Sequence, residues 1–370
     1  MFYSRWVGLR KEQEYLALDI TSISSWSDAI DDVERGYNRD HEKLPQINVC
    51  MLLGERTRLP VMQTIYSGSI KDVSTLRTTL SQLAAHCRDS DATLLVMDKG
   101  FYSKGNVDAM VYDNMMRQYR FIIPISFTSK LAIRIIDEER EDIDRAANTI
   151  VIGRNSVRGV SRLIYWPISN QQPKQVYAHI IFNAIKASKT KEDLYAHVSM
   201  LAKDAELRCK AEYKSDVKKY LSPVSAEVSE SRYTINEAAL KKELATAGWL
   251  VLISNYVETC EEALRIYRAK DVVEKGFMRL KNSLGLSRLR VHTHERTQAK
   301  VFVGFLSLIL VAYIDRIMFE KDLFKSMTMK EMLFSLKKLR VQYINQHRIL
   351  FPISKVQKSI FDAFVIVYPV

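Results

Sequence analysis

Residues 93–97, TLLVM, form an uninterrupted apolar run that passes directly into Asp98-Lys-Gly. A strand that is apolar at every position must be covered on both faces, so it needs a sheet with helices packed on each side. YRFIIPISF (119–127) and WLVLISN (249–255) show the same pattern. A length of 370 residues is enough to build that cover, as one large domain or two ordinary ones.

The first third of the chain sets the class. In EYLALDITSISSW (14–26), Tyr15, Ala17 and Asp19 alternate with Leu16, Leu18 and Ile20, and the Ser/Thr cluster that follows marks the strand end at Asp19. A polar stretch, DDVERGYNRDHEKLP, reads as a loop or hairpin tip. QINVCMLLG and LPVMQTIYSG, separated by ERTR, read as a β-hairpin. Residues 72–87 have helical apolar spacing, with Asp72 placed to accept from the free N–H groups of the first turn. Residues 105–117 read as a second helix. Three strands, a helix, a strand, a helix and a strand make a mixed α/β fold around a central sheet.

The rest is less regular. NTIVIG, SRLIYW, QVYAHIIF and RYTI are short strand-like runs, interrupted by a charged helical stretch at 189–220; together they read as an inserted, strand-rich subdomain. Residues 259–283 read as one helix, with Thr259, Glu261 and Glu262 at its start and Lys281 in its last turns. A helix over 296–319 and a charged helical tail to about residue 345 follow. The apolar run Val301–Ile314 is too short to span a bilayer and reads as a core helix. The expected division is 1–127 and 249–320 as a catalytic core, 128–248 as the β-rich insertion, and 321–370 as the tail.

A formal net charge of +12 points to a polyanionic partner, nucleic acid or an anionic membrane. Cys50, Cys87, Cys209 and Cys260 are far apart and form no C-x-x-C pair, which argues against a disulfide framework or a zinc knuckle and fits a reducing compartment. The N-terminus has no apolar segment of the signal-peptide kind.

Three acids stand out by position. Asp19 and Asp98 each follow an apolar strand, where α/β sheets commonly place ligands and catalytic groups. Glu274 lies mid-helix in YRAKDVVEKGFMRLK. Carboxylate oxygens suit hard cations such as Mg²⁺, and two such ions can hold both the attacking and the leaving oxygen of a phosphoryl displacement. Singly, each acid is as well explained as a turn or cap residue. Tyr267, Lys270, Glu274 and Lys281, spaced three, four and seven apart, fall on one face of an uninterrupted helix. Between Glu261 and Lys300, ten basic residues face five acidic ones, a balance that favours a phosphate backbone.

YLALDITSIS, LLVMDKGFYS and YRAKDVVEKGFMRLK together resemble the three catalytic blocks of the DDE transposases of bacterial insertion sequences. In particular they resemble the branch with a Tyr-x2-Arg-x3-Glu-x6-Lys signature, read here as Tyr267, Lys270, Glu274 and Lys281. The resemblance runs from about residue 14 to the C-terminus and includes GYNRDHEKLPQINV and HERTQAKVFVGFLSL. It implies a ribonuclease-H-like mixed sheet with flanking helices and a β-rich insertion. It also implies two Mg²⁺ or Mn²⁺ ions on Asp19, Asp98 and Glu274, and double-stranded DNA, both element ends and target, as substrate. Tyr267, Lys270 and Lys281 would contact phosphates, with Arg268 and Arg279 as further DNA contacts. Lys in place of Arg at 270 keeps the charge but loses the bidentate geometry. Trp166 is a candidate for stacking a base flipped near the cut, against the alternative of a Trp packed in a strand. A homodimer on DNA, a cytoplasmic, nucleoid-associated setting and no membrane partner complete the expectation.

Members usually carry an N-terminal DNA-binding domain, whereas 18 residues precede Asp19 here, which reads as a truncated copy or a start placed too late. Two other readings share the fold: a non-transposing DNA-binding remnant that inhibits full-length copies, and a metal nuclease that cleaves without joining.

Overall fold

The structure is a computed structural model that describes residues 2–9, 14–86, 93–113, 116, 119–167, 172–206, 214–223, 233–344 and 347–368. The chain is mixed α/β and divides into two compact units: Met1–Asp89 with Lys270–Val370, and Ser90–Ala269.

The first unit opens with α1 (Phe2–Leu9) and continues as β1 (Leu16–Ser24), β2 (Gln46–Gly54), β3 (Pro60–Ser67) and α2 (Asp72–His86). The three strands form an antiparallel meander with β2 in the middle, so the predicted hairpin is present. Every residue of β2 is buried, which is why its sequence lacks alternation. On one face Ile47, Val49, Met51 and Leu53 join the unit's main core. From the other, Cys50 meets Thr79 of α2. Burial pushes the Cys50 thiol up to about 12, which leaves it unreactive. Cys87 and Cys209 lie outside the described residues.

β1 differs from its expected length. It runs five residues past Asp19, pairing Ile20 with Cys50 and Ser24 with Gln46. The Ser/Thr cluster is therefore inside the strand. Ser22 and Ser24 are buried and bonded to Asn48 and Glu42, so their hydroxyls need no water. Asp72 opens α2, and Arg39 binds its carboxylate.

The second unit begins with β4 (Leu94–Met97), α3 (Lys104–Tyr112), β5 (Arg120–Pro124) and α4 (Lys130–Glu139). Next come β6 (Thr149–Ile152), β7 (Asn155–Trp166), β8 (Lys174–Phe182), α5 (Ala184–Glu206), α6 (Lys214–Tyr220), β9 (Leu221–Pro223), β10 (Tyr233–Ile235) and α7 (Glu237–Leu244). It closes with β11 (Trp249–Ser254) and α8 (Cys260–Ala269). Its main sheet has the order β4-β5-β11-β8-β7-β6. Only β4 and β5 run parallel; the other pairs are antiparallel. Three of the strands expected in an inserted subdomain, β6 to β8, thus continue this sheet. Helices α5, α6 and α7 share a smaller core built on Val198, Leu201, Tyr220 and Leu240.

His179 of β8 is fully buried, with Nδ1 2.8 Å from the Ser161 hydroxyl and Nε2 without a partner. Burial lowers its pKa from 6.5 to about 4. The unfolded chain then takes up a proton below pH 6.5 that the folded chain refuses until about pH 4. This contribution to stability is complete above pH 6.5 and is lost as the pH falls through that window. Denaturation midpoints measured at pH 7.5, 5.5 and 4.5 should therefore fall less in His179→Leu than in the wild type, by an amount approaching about 3 kcal/mol at the acid end. Identical pH profiles would show that the imidazole is not the proton acceptor.

The chain returns to the first unit as α9 (Asp271–Met278), α10 (His294–Glu320), α11 (Met329–Lys337), β12 (Val341–Ile344), β13 (His347–Leu350) and α12 (Lys355–Ala363). The helix expected over 259–283 is interrupted twice. At Lys270 the Val273 N–H bonds the carbonyl three residues back, a tight 3₁₀-type turn. At Arg279–Ser283 the helix widens, and Leu284 N–H bonds the Arg279 carbonyl five residues back. The charged tail contains the β12–β13 hairpin, whose strands pair antiparallel.

α10 is long and apolar enough to cross a membrane by length and composition. It presents Val301, Phe305 and Leu308 to the core, whereas Val303, Leu310, Tyr313 and Phe319 are exposed, so only one face fits the expected core helix. α9 lays Val272, Val273 and Phe277 on the sheet among Ala17, Ile23, Met51 and Leu53. Gly276 makes that approach possible, since a Cβ there would sit 2.7 Å from Leu53 Cδ2. Gly276→Val should cost about 1–3 kcal/mol in urea denaturation by overpacking; an unchanged midpoint would mean that α9 has room to spare.

Candidate active site

Asp19 lies mid-strand in β1, on the same side as Ala17 and Ile23 and therefore on the face that α9 covers. Its Oδ1 accepts from the Ile20 N–H at 2.8 Å, and its Oδ2 lies 3.6 Å from Lys270 Nζ. The same ammonium is 3.3 Å from Glu274 Oε1. Lys270 is 7% exposed, Asp19 15% and Glu274 60%. One cation, covered by protein, is thus shared by a half-buried and an exposed carboxylate. The tight turn at Lys270 starts α9, which then carries Glu274 one helical turn on, at the (i, i+4) spacing.

Asp98 holds the position expected of it, directly after β4. Its backbone carbonyl accepts from Phe101 N–H, which folds DKGF into a tight turn, and Tyr267 O–H donates to its Oδ1 at 3.5 Å. Both residues belong to the second unit. The chain passes from the second unit to the first between Ala269 and Lys270, inside the Tyr-Lys-Glu-Lys signature. The structure therefore joins Asp19, Lys270 and Glu274 in one unit, and Asp98 and Tyr267 in the other.

Lys281, the last member of the signature, is 12% exposed and bonds Asp40 Oδ2 at 2.6 Å. Arg268 is exposed on α8. Arg279 is engaged in the fold: it lies 3.0 Å from the buried carboxylate of Asp315, which Arg58 also binds at 2.9 Å. Trp166 is 1% exposed, and its indole N–H donates to Asp108 at 2.7 Å. A base cannot stack on a ring so enclosed, so the packed alternative describes Trp166. Sequence reasoning gave no role to Asn38, Asp40 and Glu42, although GYNRDHEKLPQINV, which contains them, was part of the family resemblance.

The donor set can be tested against a divalent metal. Asp19 and Glu274 each place an oxygen near one cation, the Lys270 ammonium. Hard carboxylate oxygens converging on one positive charge are the ligands that Mg²⁺ or Mn²⁺ takes. Within neither unit do three described His, Cys, Asp or Glu side chains form a metal-holding group. The residues present thus fit as two ligands of a larger set.

Comparison with known proteins bears on the class. The chain matches the family described as "Transposase DDE domain" over residues 10–310, and it belongs to that family. Among curated proteins, none matches it. Among solved structures it resembles a piggyBac transposase, described as a synaptic complex with hairpin DNA, at 8% identity and a TM-score of 0.42. That match covers 85% of this chain and 48% of the other, so the chain spans about half the length of that relative.

Lys270→Met would leave the Asp19 carboxylate half-buried without this ammonium. A loss of about 1–3 kcal/mol in urea denaturation at pH 7.5 is expected. Millimolar Mn²⁺ should raise the melting temperature more in this variant than in the wild type, because the ammonium no longer competes. An equal Mn²⁺ effect in both proteins would show that the two carboxylates do not form a metal position.

Proposed function

We propose that the chain is the transposase of a bacterial insertion sequence, of the branch with the Tyr-Arg-Glu-Lys signature, which cuts the element's ends and joins them to target DNA. The observation that carries this reading is the shared cation of Asp19 and Glu274, two residues 255 positions apart that the family resemblance pairs as metal ligands. In this reading Asp19, Asp98 and Glu274 hold two Mg²⁺ or Mn²⁺ ions. Such ions make an attacking oxygen nucleophilic at neutral pH and offset charge on the leaving oxygen.

The protein's own groups orient and neutralise. Tyr267 O–H donates to one oxygen of Asp98 and so helps to orient that carboxylate. Lys270 lies between Asp19 and Glu274, and with those carboxylates on a metal its ammonium would serve a phosphate instead. As a point charge it clamps a phosphate less rigidly than the arginine usual at this position. Lys281 supplies a second cation. Double-stranded DNA is the partner, engaged by a homodimer, in the cytoplasm of a bacterium and close to its nucleoid.

A strand-transfer assay with supercoiled donor DNA carrying the element's ends, target DNA and Mg²⁺ tests the proposal. The wild type should give both cut and joined products. Glu274→Gln should lose cleavage by more than about a hundredfold, beyond the loss expected for an outer partner of a ligand, while DNA affinity is largely kept. Cleavage without joined product would favour a nuclease of the same fold. DNA binding with no cleavage by the wild type would favour the non-transposing remnant.

A further inference from the structure

The loop between β1 and β2 is built far more firmly than a connecting segment requires. Asn38, 6% exposed, sits at its centre. Its side-chain amide donates to Ser24 Oγ (3.1 Å) and Gln46 Oε1 (2.6 Å), and its carbonyl accepts from the backbone N–H groups of Asp40 (2.8 Å) and Glu42 (3.2 Å). Gln46, fully buried, donates to the Tyr37 carbonyl at 2.9 Å. Gly36 lies so close to Gly68 that a Cβ on it would fall 1.9 Å from the Gly68 carbonyl oxygen. These bonds set the direction of two carboxylates. Asp40 meets Lys281 at 2.6 Å, and Glu42 meets Arg288 at 2.5 Å. A hydrogen bond from Ser24, together with Arg288, holds the Glu42 carboxyl below the usual carboxylate range, so it stays charged.

Two cations from the segment after α9 are therefore each matched by an anion on a rigid loop. A carboxylate facing a lysine and a carboxylate facing an arginine reproduce the charge and the acceptor oxygens of two phosphates. Arg288 also stands 5.4 Å over the ring of Trp26, which is 63% exposed. We propose that Lys281 and Arg288 form a two-position seat for backbone phosphates of nucleic acid, and that Asp40 and Glu42 occupy it as internal stand-ins until the strand displaces them. This rests on the DNA-binding part of the proposed function and adds Arg288 and the two loop acids to it. The stand-ins select for polyanions: a single small anion gains little by displacing one tethered carboxylate, whereas a backbone displaces both at once.

The test is a double-mutant cycle read by equilibrium binding of the full chain to a duplex oligonucleotide at fixed salt, without divalent metal. Asp40→Asn should tighten binding by about two- to fivefold, the scale on which a partly exposed ion pair competes. In a Lys281→Met background the same change should do much less. The pair Glu42→Gln and Arg288→Met should behave alike. Asp322→Asn, which removes an exposed acid elsewhere in the unit, serves as the control for general charge. Thermal melting shows that each variant is folded. Trp26 gives an independent readout, since DNA that draws Arg288 off its ring should change tryptophan emission in the wild type and not in Trp26→Leu. If Asp40→Asn tightens binding equally with and without Lys281, or no more than Asp322→Asn does, the seat is refuted while DNA binding stands. If the wild type binds no duplex at all, both the seat and the function on which it rests fall.

Discussion

A single ammonium group, that of Lys270, sets the terms for the first unit. It is almost covered by protein, and a covered charge is tolerable only beside charges of opposite sign. Asp19 and Glu274 supply them, from a strand and from a helix that follows it by some 250 residues of chain. Neither element could hold that arrangement alone. Their spacing is set by Val272, Val273 and Phe277 against Ala17, Ile23 and the inner face of β2, each large apolar side chain contributing about 1.5–3 kcal/mol when buried. Gly276 lets the backbone of α9 come down onto Leu53. The polar site thus rests on apolar packing, which brings α9 and β1 together and with them the two carboxylates.

The features of this fold that depend on local pattern could be read from the sequence. The continuous apolar runs at β4, β5 and β11 announce strands covered on both faces, those at β2 and β3 announce a hairpin, and the interval from 72 to 86 carries a helical stripe. Asp98 follows its strand as expected, because the run before it ends cleanly in polar residues. The extent of β1 was not legible. TSIS looks like the fraying end of a strand, and only the partners supplied by Asn48, Glu42 and Asn38 make those hydroxyls internal. Trp166 belongs with them, since the residue that satisfies its indole N–H, Asp108, is 58 positions away on another element. The breaks at Lys270 and Arg279 escaped for a different reason. Both keep the backbone near helical angles, so no glycine or proline is needed to make them, and the apolar spacing continues across the first almost unchanged.

The charge balance shows a related limit. Ten basic residues between Glu261 and Lys300 look like a uniform phosphate-binding face. In the fold they separate: Lys270 is shared by Asp19 and Glu274, Lys300 donates to the Leu289 carbonyl, and the other eight are of two kinds. Arg279 is held by Asp315, Lys281 by Asp40, Arg288 by Glu42 and Lys275 by Asp271. Arg265, Arg268, Arg290 and Arg296 stand exposed on the surface. Formal charge weighs both kinds equally, yet they act at different ranges. Exposed arginines shape the field that a distant polyanion meets, within a Debye length of about 8 Å at physiological salt. A cation already paired adds almost nothing to that field, and it contributes only when a phosphate has come close enough to exchange with the carboxylate. Attraction and docking are in that sense assigned to different side chains. In the proposed seat, Lys281 and Arg288 would confer the selectivity, because exchange would succeed only where phosphates lie at the spacing that the loop imposes on Asp40 and Glu42.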